Sequence, residues 1–261
     1  MRRTDRRTDG QTNRWLFGFW LLALLTGPAH GQSIAERAAR VRDGKVRMSF
    51  ATRPGVCGSG EHITMSRSTD DWESYCESGP ARVVLTMRDG ELVDVDTHVG
   101  GRWRPARGSV LDLGMVSAPE AAAYLLTLAS SQHTRAGKEA IFPATIADSM
   151  EVWPRLLEIA KRRDLPRATR KSAVFWLAQA AGKAVADDLA QLVDDENTDR
   201  EIQEHAVFAL SQLRGDQGVA ALIEIAQTHR DRHVRAKAMF WLGQSYDPRV
   251  IALFEEILLR R

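Results

Sequence analysis

The sequence predicts a mainly α-helical protein: a C-terminal α-solenoid of about four helical hairpins, preceded by a small β-rich α+β region. Three observations predict this fold class. After residue 117 the apolar residues follow the spacing of helices, and similar segments recur there every 32 or 33 residues. Before residue 117 the apolar spacing is mostly that of strands.

The first 31 residues have the pattern of a Sec-type signal peptide. An Arg-rich start precedes 11 strongly apolar residues at 15–25, and Ala29-His30-Gly31 has the small-x-small pattern of a cleavage site. The apolar stretch is too short for a bilayer core, which requires roughly 20 residues. We expect cleavage after Gly31 and export to the periplasm or the medium. Membrane association is expected only if the leader is retained as an anchor.

Removal of the leader changes the charge of the protein. The full chain has 36 Lys and Arg against 34 Asp and Glu. Residues 1–31 include five Arg and two Asp, so the mature chain keeps 31 basic and 32 acidic residues, a net charge of −1. This balance provides no general attraction to a polyanion, and we expect no nucleic-acid partner.

The two cysteines of the chain, Cys57 and Cys76, predict one disulfide. They lie 19 residues apart, and an exported chain reaches an oxidising compartment. Closing such a loop contributes about 3 kcal/mol in the chain-entropy model. The alternative is a reactive Cys57 close to His62, although the surrounding residues provide no evident base or oxyanion site.

Residues 32–116 are expected to form the small β-rich domain. A short helix is predicted at 33–41, a strand at 45–50 and a last strand at 109–116, whereas the Gly- and Ser-rich residues 54–80 are expected to form a long loop. Asp89-Gly90 predicts a type I′ turn between two strands. The second of these strands is expected to direct four side chains to one face: Val93, Val95, Thr97 and Val99.

The opposite face of that strand presents Asp94, Asp96 and His98. Three such side chains can bind a metal ion, but a solvated strand face has the same pattern, and ligands on one straight strand rarely surround an ion. We expect neither a metal nor a cofactor. These residues and Cys57 define the alternative function, which is an exported enzyme or metal-binding protein with its site in the β-rich domain.

An internal repeat defines the solenoid, residues 117–261, after a helix capped by Ser117. The segments KEAIF, KSAVFWLAQ, EHAVFALSQ and AKAMFWLGQ, which begin at 138, 171, 204 and 236, superpose. A period in the low thirties with two helices per unit indicates stacked helical hairpins. Pro166, Asp199 and Asp231 are predicted to precede first helices. The repeats are placed at about 132–164, 165–197, 198–230 and 231–261.

One segment has a family resemblance. Ala-Val-x-Ala-Leu-x-Gln-Leu at 206–213, followed by GDQGVAALIEIA, is similar to HEAT-like repeats of the phycobilisome-lyase-like class. The whole chain resembles exported bacterial HEAT-repeat-domain proteins with a cysteine-containing β-rich N-terminal part. The resemblance implies a superhelical scaffold that binds other macromolecules, and it supplies no catalytic residue. Deoxyhypusine-hydroxylase-like relatives bind two irons through His-Glu dipeptides, and no His in this sequence precedes a Glu.

Two positions of the repeated helix hold the same residue in three copies. They are Phe175, Phe208 and Phe240, and Gln179, Gln212 and Gln244. We expect burial of the Phe rings against an adjacent hairpin or the N-terminal domain. The alternative is an exposed Phe/Gln ladder that binds a partner. The position after each Phe holds Trp176, Ala209 and Trp241, and we expect it to face the core.

Six basic residues cluster between the first and second repeats: Lys161, Arg162, Arg163, Arg167, Arg170 and Lys171. They define a candidate basic patch for an acidic partner or anionic lipid. Acidic residues follow at 187–204, so we expect most of these charges to be neutralised in solvated turns. His229 and His233 are likewise expected on the surface of a turn.

No catalytic set is evident in this sequence. The sequence therefore favours a non-enzymatic, exported scaffold or binding protein that acts through protein–protein interaction in the cell envelope, with another envelope protein as its partner.

Overall fold

The computed structural model describes residues 32–65, 76–179, 183–213 and 217–259, the side chains of 183 and 184 excepted. The predicted signal peptide and its cleavage site lie outside these residues. Ser33–Arg261 forms one compact unit. Across the described ranges, we find no helix with the length and apolar character needed to cross a membrane.

Within the described ranges, six strands form two sheets. They are β1 (Gly44–Phe50), β2 (Val56–Ser59), β3 (His62–Met65), β4 (Ala81–Arg88), β5 (Glu91–Val99) and β6 (Val110–Met115). The larger sheet has the order β5-β4-β1-β6, and the smaller one pairs β2 with β3. Neighbours in the larger sheet are antiparallel except β1 and β6, which are parallel. Val46, Met48 and Phe50 alternate into the core, as their spacing predicts.

The β4–β5 hairpin confirms the predicted turn and the predicted burial of Val95 and Val99, but not that of Val93. Asp89 and Gly90 have φ of 54° and 84°, the left-handed values that a type I′ turn requires at both central residues. A bulge next to Thr86 then shifts the register of β5. As a result Leu92 is buried, whereas Val93, predicted to face inward, is 38% exposed.

The prediction of a loop at 54–80 is wrong for its described part. β2 and β3 form a short antiparallel hairpin, and Gly58 exchanges two backbone hydrogen bonds with Glu77. The predicted disulfide between Cys57 and Cys76 is present. It joins β2 to the segment that leads into β4.

Eleven helical segments are described. They are α1 (Ile34–Ala38), α2 (Ala118–Ser131), α3 (Arg135–Glu139), α4 (Ile141–Thr145), α5 (Trp153–Lys161), α6 (Arg167–Gln179), α7 (Lys183–Asp194), α8 (Arg200–Ser211), α9 (Val219–Thr228), α10 (Arg232–Leu242) and α11 (Pro248–Leu259). The predicted short N-terminal helix is α1. Ser117 caps α2 as predicted, since its hydroxyl accepts a hydrogen bond from the Glu120 N–H.

The sheet and the helices share one hydrophobic core. Two backbone hydrogen bonds also join the segment after β1 to the segment after α4. The Arg53 N–H donates to the Ile146 carbonyl, and the Asp148 N–H donates to the Ala51 carbonyl. The Glu120 carboxylate also accepts a hydrogen bond from the Ile34 N–H, which holds α1 against the start of α2.

The helices from α5 onward form two layers. Their closest sequential pairs are α5 with α6, α7 with α8 and α9 with α10. Helices α6, α8 and α10 pack directly on one another, whereas α5, α7, α9 and α11 make far fewer contacts with each other. Helices α6, α8 and α10 therefore form the closely packed layer of the solenoid. Pro166, Asp199 and Asp231 immediately precede α6, α8 and α10, where the repeat predicts helix starts.

Candidate functional site

The Phe/Gln ladder lies on the closely packed layer, on helices α6, α8 and α10. Phe175 is 39% exposed, Phe240 is 57% exposed, and Phe208 is partly exposed. The expected burial is therefore wrong for Phe175 and Phe240, whereas Phe208 is partly buried. Each Phe lies about 200° around its helix from the buried Ala of the same copy, so no second-layer helix covers it. Gln179, Gln212 and Gln244 are exposed as well.

The aromatic rings of this layer form two triplets. In the first, Trp176 lies with its ring centroid 5.1 Å from Phe142 of the preceding copy and 5.1 Å from Phe175. In the second, Trp241 lies 4.9 Å from Phe208 and 5.0 Å from Phe240. Such separations are those of attractive edge-to-face and tilted ring pairs. Each Trp packs against the core and supports two Phe rings.

The two triplets are separate because the third copy of the repeat, on α8, has no tryptophan. Ala209 occupies the position equivalent to Trp176 and Trp241, and it is fully packed. A small residue here allows α6 and α8 to approach without an intervening ring. The surface therefore has one aromatic triplet at each end. Phe208 of α8 belongs to the second triplet, because its ring contacts Trp241 of α10.

Two grooves separate α8 from α10 along the ladder. One, of about 220 Å³, is lined by Gln212, Trp241 and Gln244 among others. The other, of about 230 Å³, is lined by His205, Phe208 and Trp241 and by charged side chains. The Trp241 Nε1–H is buried and has no acceptor among the described residues, which is rare in protein cores.

Charged side chains of both signs border the second groove. Lys171 Nζ lies 3.1 Å from a Glu201 carboxylate oxygen, and Lys237 Nζ lies 4.0 Å from Glu204. Burial lowers the pKa of His205, and the nearby Lys171 charge lowers it further. The neutral imidazole packs beside Phe208, with ring centroids 5.9 Å apart.

The predicted basic patch is largely neutralised by the next repeat. Arg167 and Lys171 pair with Glu201, Arg163 and Arg170 pair with Asp199, and Arg162 pairs with Asp164. Lys161 makes no ion pair among the described residues. The spacing of one repeat places the acidic start of α8 beside the basic start of α6. The expected neutralisation is therefore observed for five of the six residues.

Arg170 has a structural role, since its side chain is only 4% exposed. It donates from Nε to the Leu165 carbonyl, and its Nη1 lies 2.5 Å from Asp199. The equivalent Gln203 donates to the Val193 and Asp195 carbonyls, and Arg235 donates to His229 and Arg230. In these three copies the side chain binds carbonyl groups at the end of the preceding helix or in the turn that follows it.

His229 is buried, so its expected position on the surface is wrong. The Asp231 N–H donates to Nδ1, and Nε2 lies 3.2 Å from the Val193 carbonyl. This pattern assigns the proton of the neutral ring to Nε2, which donates to Val193. The imidazole thus links two successive turns, while His233 is exposed as expected.

The alternative site in the β-rich region is not assembled in the structure. Cys57 is bonded to Cys76, so it is not a free thiol. Asp94, Asp96 and His98 project from the outer face of β5, opposite Thr86, Val84 and Arg82. Within the described parts of the chain, no three His, Cys, Asp or Glu side chains are grouped closely enough to bind a metal ion.

A cavity on the outer face of the larger sheet was not predicted. It has a volume of about 410 Å³ and lies beneath the loop that joins β5 to β6. Four basic side chains and one indole line it: Lys45, Arg47, Trp103, Arg104 and Arg107. The sequence signal is GRWRPARG at 101–108, which places three Arg and one Trp in eight residues.

Comparison with known proteins gives one family match. The family model for HEAT repeats matches residues 153–239 and, in a second overlapping match, residues 196–261. No curated protein matches the chain. The first match begins at Trp153, where α5 begins, and the two together extend through α11. This match and the two layers of stacked helices support HEAT repeats in the C-terminal part of the chain, residues 153–261.

Proposed function

We propose that this protein is a non-enzymatic scaffold that binds another protein along the Phe/Gln ladder of helices α6, α8 and α10. The observation that supports the proposal is the exposure of Phe175 and Phe240 on the closely packed layer of HEAT-like repeats, a class of repeat that generally mediates protein–protein interaction. Aromatic residues, Phe included, are enriched in protein–protein interfaces relative to the rest of the surface.

The partner segment is proposed to be an extended peptide with apolar side chains. An exposed Gln amide offers both a donor and an acceptor, which matches the backbone of an extended strand. Among the described residues, the side-chain amides of Gln179 and Gln244 have no hydrogen-bond partner, so both are available to such a backbone. The Phe rings provide apolar contacts between them.

Export and the cell envelope belong to the same proposal. The Arg-rich start, the 11-residue apolar stretch and Ala29-His30-Gly31 favour a secreted protein, and a disulfide suits an oxidising compartment. We propose that the partner is another envelope protein and that neither a cofactor nor nucleic acid is involved. We also propose that the protein is one of the exported bacterial HEAT-repeat-domain proteins, with HEAT-like repeats of the phycobilisome-lyase-like class.

Site-specific crosslinking tests the ladder. A photoreactive phenylalanine analogue is placed at Gln244 on the ladder or, as the matched control, at the exposed Glu255 on α11. Irradiation in the native envelope is expected to give a discrete adduct from position 244 only. The double change Phe175→Ala/Phe240→Ala should abolish it, and Ile251→Ala, an exposed apolar residue outside the ladder, should not.

Two outcomes would reject this proposal. One is the absence of any adduct from position 244 while the protein is folded and present in the envelope. The other is an adduct whose yield is insensitive to the loss of both Phe rings, because the ladder would then not be the binding surface.

A further inference from the structure

The cavity on the outer sheet face is held open by contacts of Arg47. Its Nε and Nη2 bind Asp112 Oδ2 at 2.8 and 2.7 Å, its Nη1 donates to the Arg104 carbonyl, and its guanidinium lies 5.0 Å from the Trp103 ring centroid. Trp103 in turn donates from Nε1 to Ser49 Oγ at 3.2 Å. These contacts fix the β5–β6 loop on the sheet, so the cavity is present before any ligand arrives.

The charge around this cavity is unbalanced. Asp112 neutralises Arg47, whose side chain is only 16% exposed. Lys45, Arg104 and Arg107 make no ion pair with any residue that the structure describes, and all three are exposed. Three cations around one cavity favour an anion with more than one negative charge, since a single carboxylate would leave most of the positive charge unmatched.

The size of the cavity indicates that the anion has an organic part. A volume of about 410 Å³ lies within the range of small-molecule sites and is much larger than an inorganic anion needs. Val84, Pro105 and Val110 supply apolar surface beside the basic groups. We propose that this cavity binds a small organic phosphate monoester, whose phosphate carries close to two negative charges at neutral pH and contacts Arg104 and Arg107.

This site is independent of the proposed ladder, because it lies on the β-rich part of the chain and shares no residue with α6, α8 or α10. Its ligand has two possible sources, a soluble metabolite or a lipid headgroup. Both present the same phosphate monoester chemistry, and the test below distinguishes them.

Calorimetric titration of the folded protein with phenyl phosphate tests the proposal, with benzoate and inorganic phosphate as comparison probes. Phenyl phosphate is expected to bind about tenfold more tightly than either, because only it combines the dianion with an apolar group. Arg104→Ala/Arg107→Ala should weaken its binding by about tenfold or more. Arg102→Ala, an exposed Arg in the same loop that does not line the cavity, should change it by less than about twofold.

The opposite results overturn the proposal. They are no saturable binding of phenyl phosphate up to about 10 mM, equal affinity for benzoate, or an equal loss of affinity in Arg102→Ala.

A second experiment uses phosphatidylcholine vesicles with and without phosphatidic acid. Binding to phosphatidic acid that depends on Arg104 and Arg107 identifies a lipid headgroup as the source, and its absence, with phenyl phosphate bound, identifies a soluble phosphate. The crosslinking from position 244 does not depend on either experiment, so the proposals for the ladder and for the cavity can be rejected independently.

Discussion

At the scale of single residues, the most constrained charge in the repeat array is Arg170. Its guanidinium is nearly excluded from solvent and depends on Asp199 and the Leu165 carbonyl for its hydrogen bonds. A buried cation that loses its acidic partner retains most of the cost of desolvation. The neighbouring pairs of Lys171 and Arg167 with Glu201 are more exposed, and water replaces a lost partner there.

Asp199→Ala is therefore expected to lower the free energy of unfolding by about 3 kcal/mol, because it leaves Arg170 buried with a single carbonyl acceptor. Urea denaturation followed by circular dichroism measures the change. Glu201→Ala is the matched control, two residues away and paired with exposed cations, and it should cost clearly less. Equal losses in the two variants would contradict the structural role of Arg170.

A pH dependence follows from His205. Burial, and then the Lys171 charge, lowers its pKa in the folded state below the ordinary value of 6.5. The unfolded chain therefore binds the proton more readily than the folded one between these two pKa values. Stability from this group is fully present above pH 6.5 and is lost as the pH falls from 6.5 towards the folded pKa.

Stability measured by urea denaturation should accordingly decrease between pH 7 and pH 5 in the parent protein. His205→Gln should flatten that decrease, because its side chain does not titrate. A His205→Gln variant that retains the full slope above pH 5 would rule out His205 as its source.

The pKa of Asp199 lies below its usual value because of the Arg170 hydrogen bond. Stability from that carboxylate is therefore lost only below about pH 4.

At the scale of secondary-structure elements, the approach of α8 to α9 depends on one glycine. Gly218 precedes α9, and a Cβ there would lie 2.0 Å from the Leu210 carbonyl oxygen. This distance is far below any van der Waals contact, and the obstacle is backbone that cannot rotate away. Gly243, at the end of α10, has helical dihedral angles and its nearest neighbour atom at 3.4 Å.

Gly218→Ala is expected to destabilise the protein by about 1–3 kcal/mol, because α9 must move away from α8. Gly243→Ala should be neutral or stabilising by up to about 1 kcal/mol, since alanine restricts the unfolded chain and fits the helical backbone. Thermal unfolding of the two variants beside the parent protein measures both effects. A neutral Gly218→Ala would show that the close approach is not maintained in solution.

The elements that the sequence predicts correctly are those with a local physical signal. Asp89-Gly90 specifies its turn through two positive φ values, Ser117 caps α2, and the repeat period places the starts of α6, α8 and α10. β2 and β3 have only four residues each, so their pairing is supported by contacts that local sequence does not show. The bulge at Thr86 likewise depends on the partner strand, and it turns Val93 away from the face expected for it.

The candidate sites depend on distant contacts and were less predictable. The members of the Phe/Gln ladder follow from the repeat, but their exposure depends on how α6, α8 and α10 pack in three dimensions. The sheet cavity combines a loop, β1 and β6, which come together only through the parallel pairing of the two strands. An Arg-rich segment by itself is indistinguishable from a solvated turn.

At the scale of the whole molecule, the shared core and the backbone hydrogen bonds at Ile146 and Ala51 predict one cooperative transition for the sheet and the first helices. The double variant Cys57→Ser/Cys76→Ser should lower the free energy of unfolding by about 3 kcal/mol. Hydrogen exchange should show the same loss of protection for β4 and for α2. Loss confined to the sheet would mean that the two parts unfold separately.

The spacing of helices α6, α8 and α10 also sets the geometry of recognition. Neighbouring helices in one layer lie about 8–10 Å apart, so Phe175 and Phe240, two helices apart, are separated by roughly 16–20 Å. An extended chain advances about 3.3 Å per residue, and its side chains alternate between faces. A partner that contacts both aromatic ends therefore carries two apolar anchors spaced about six residues apart, and the segment between them passes over the partly exposed Phe208 of α8.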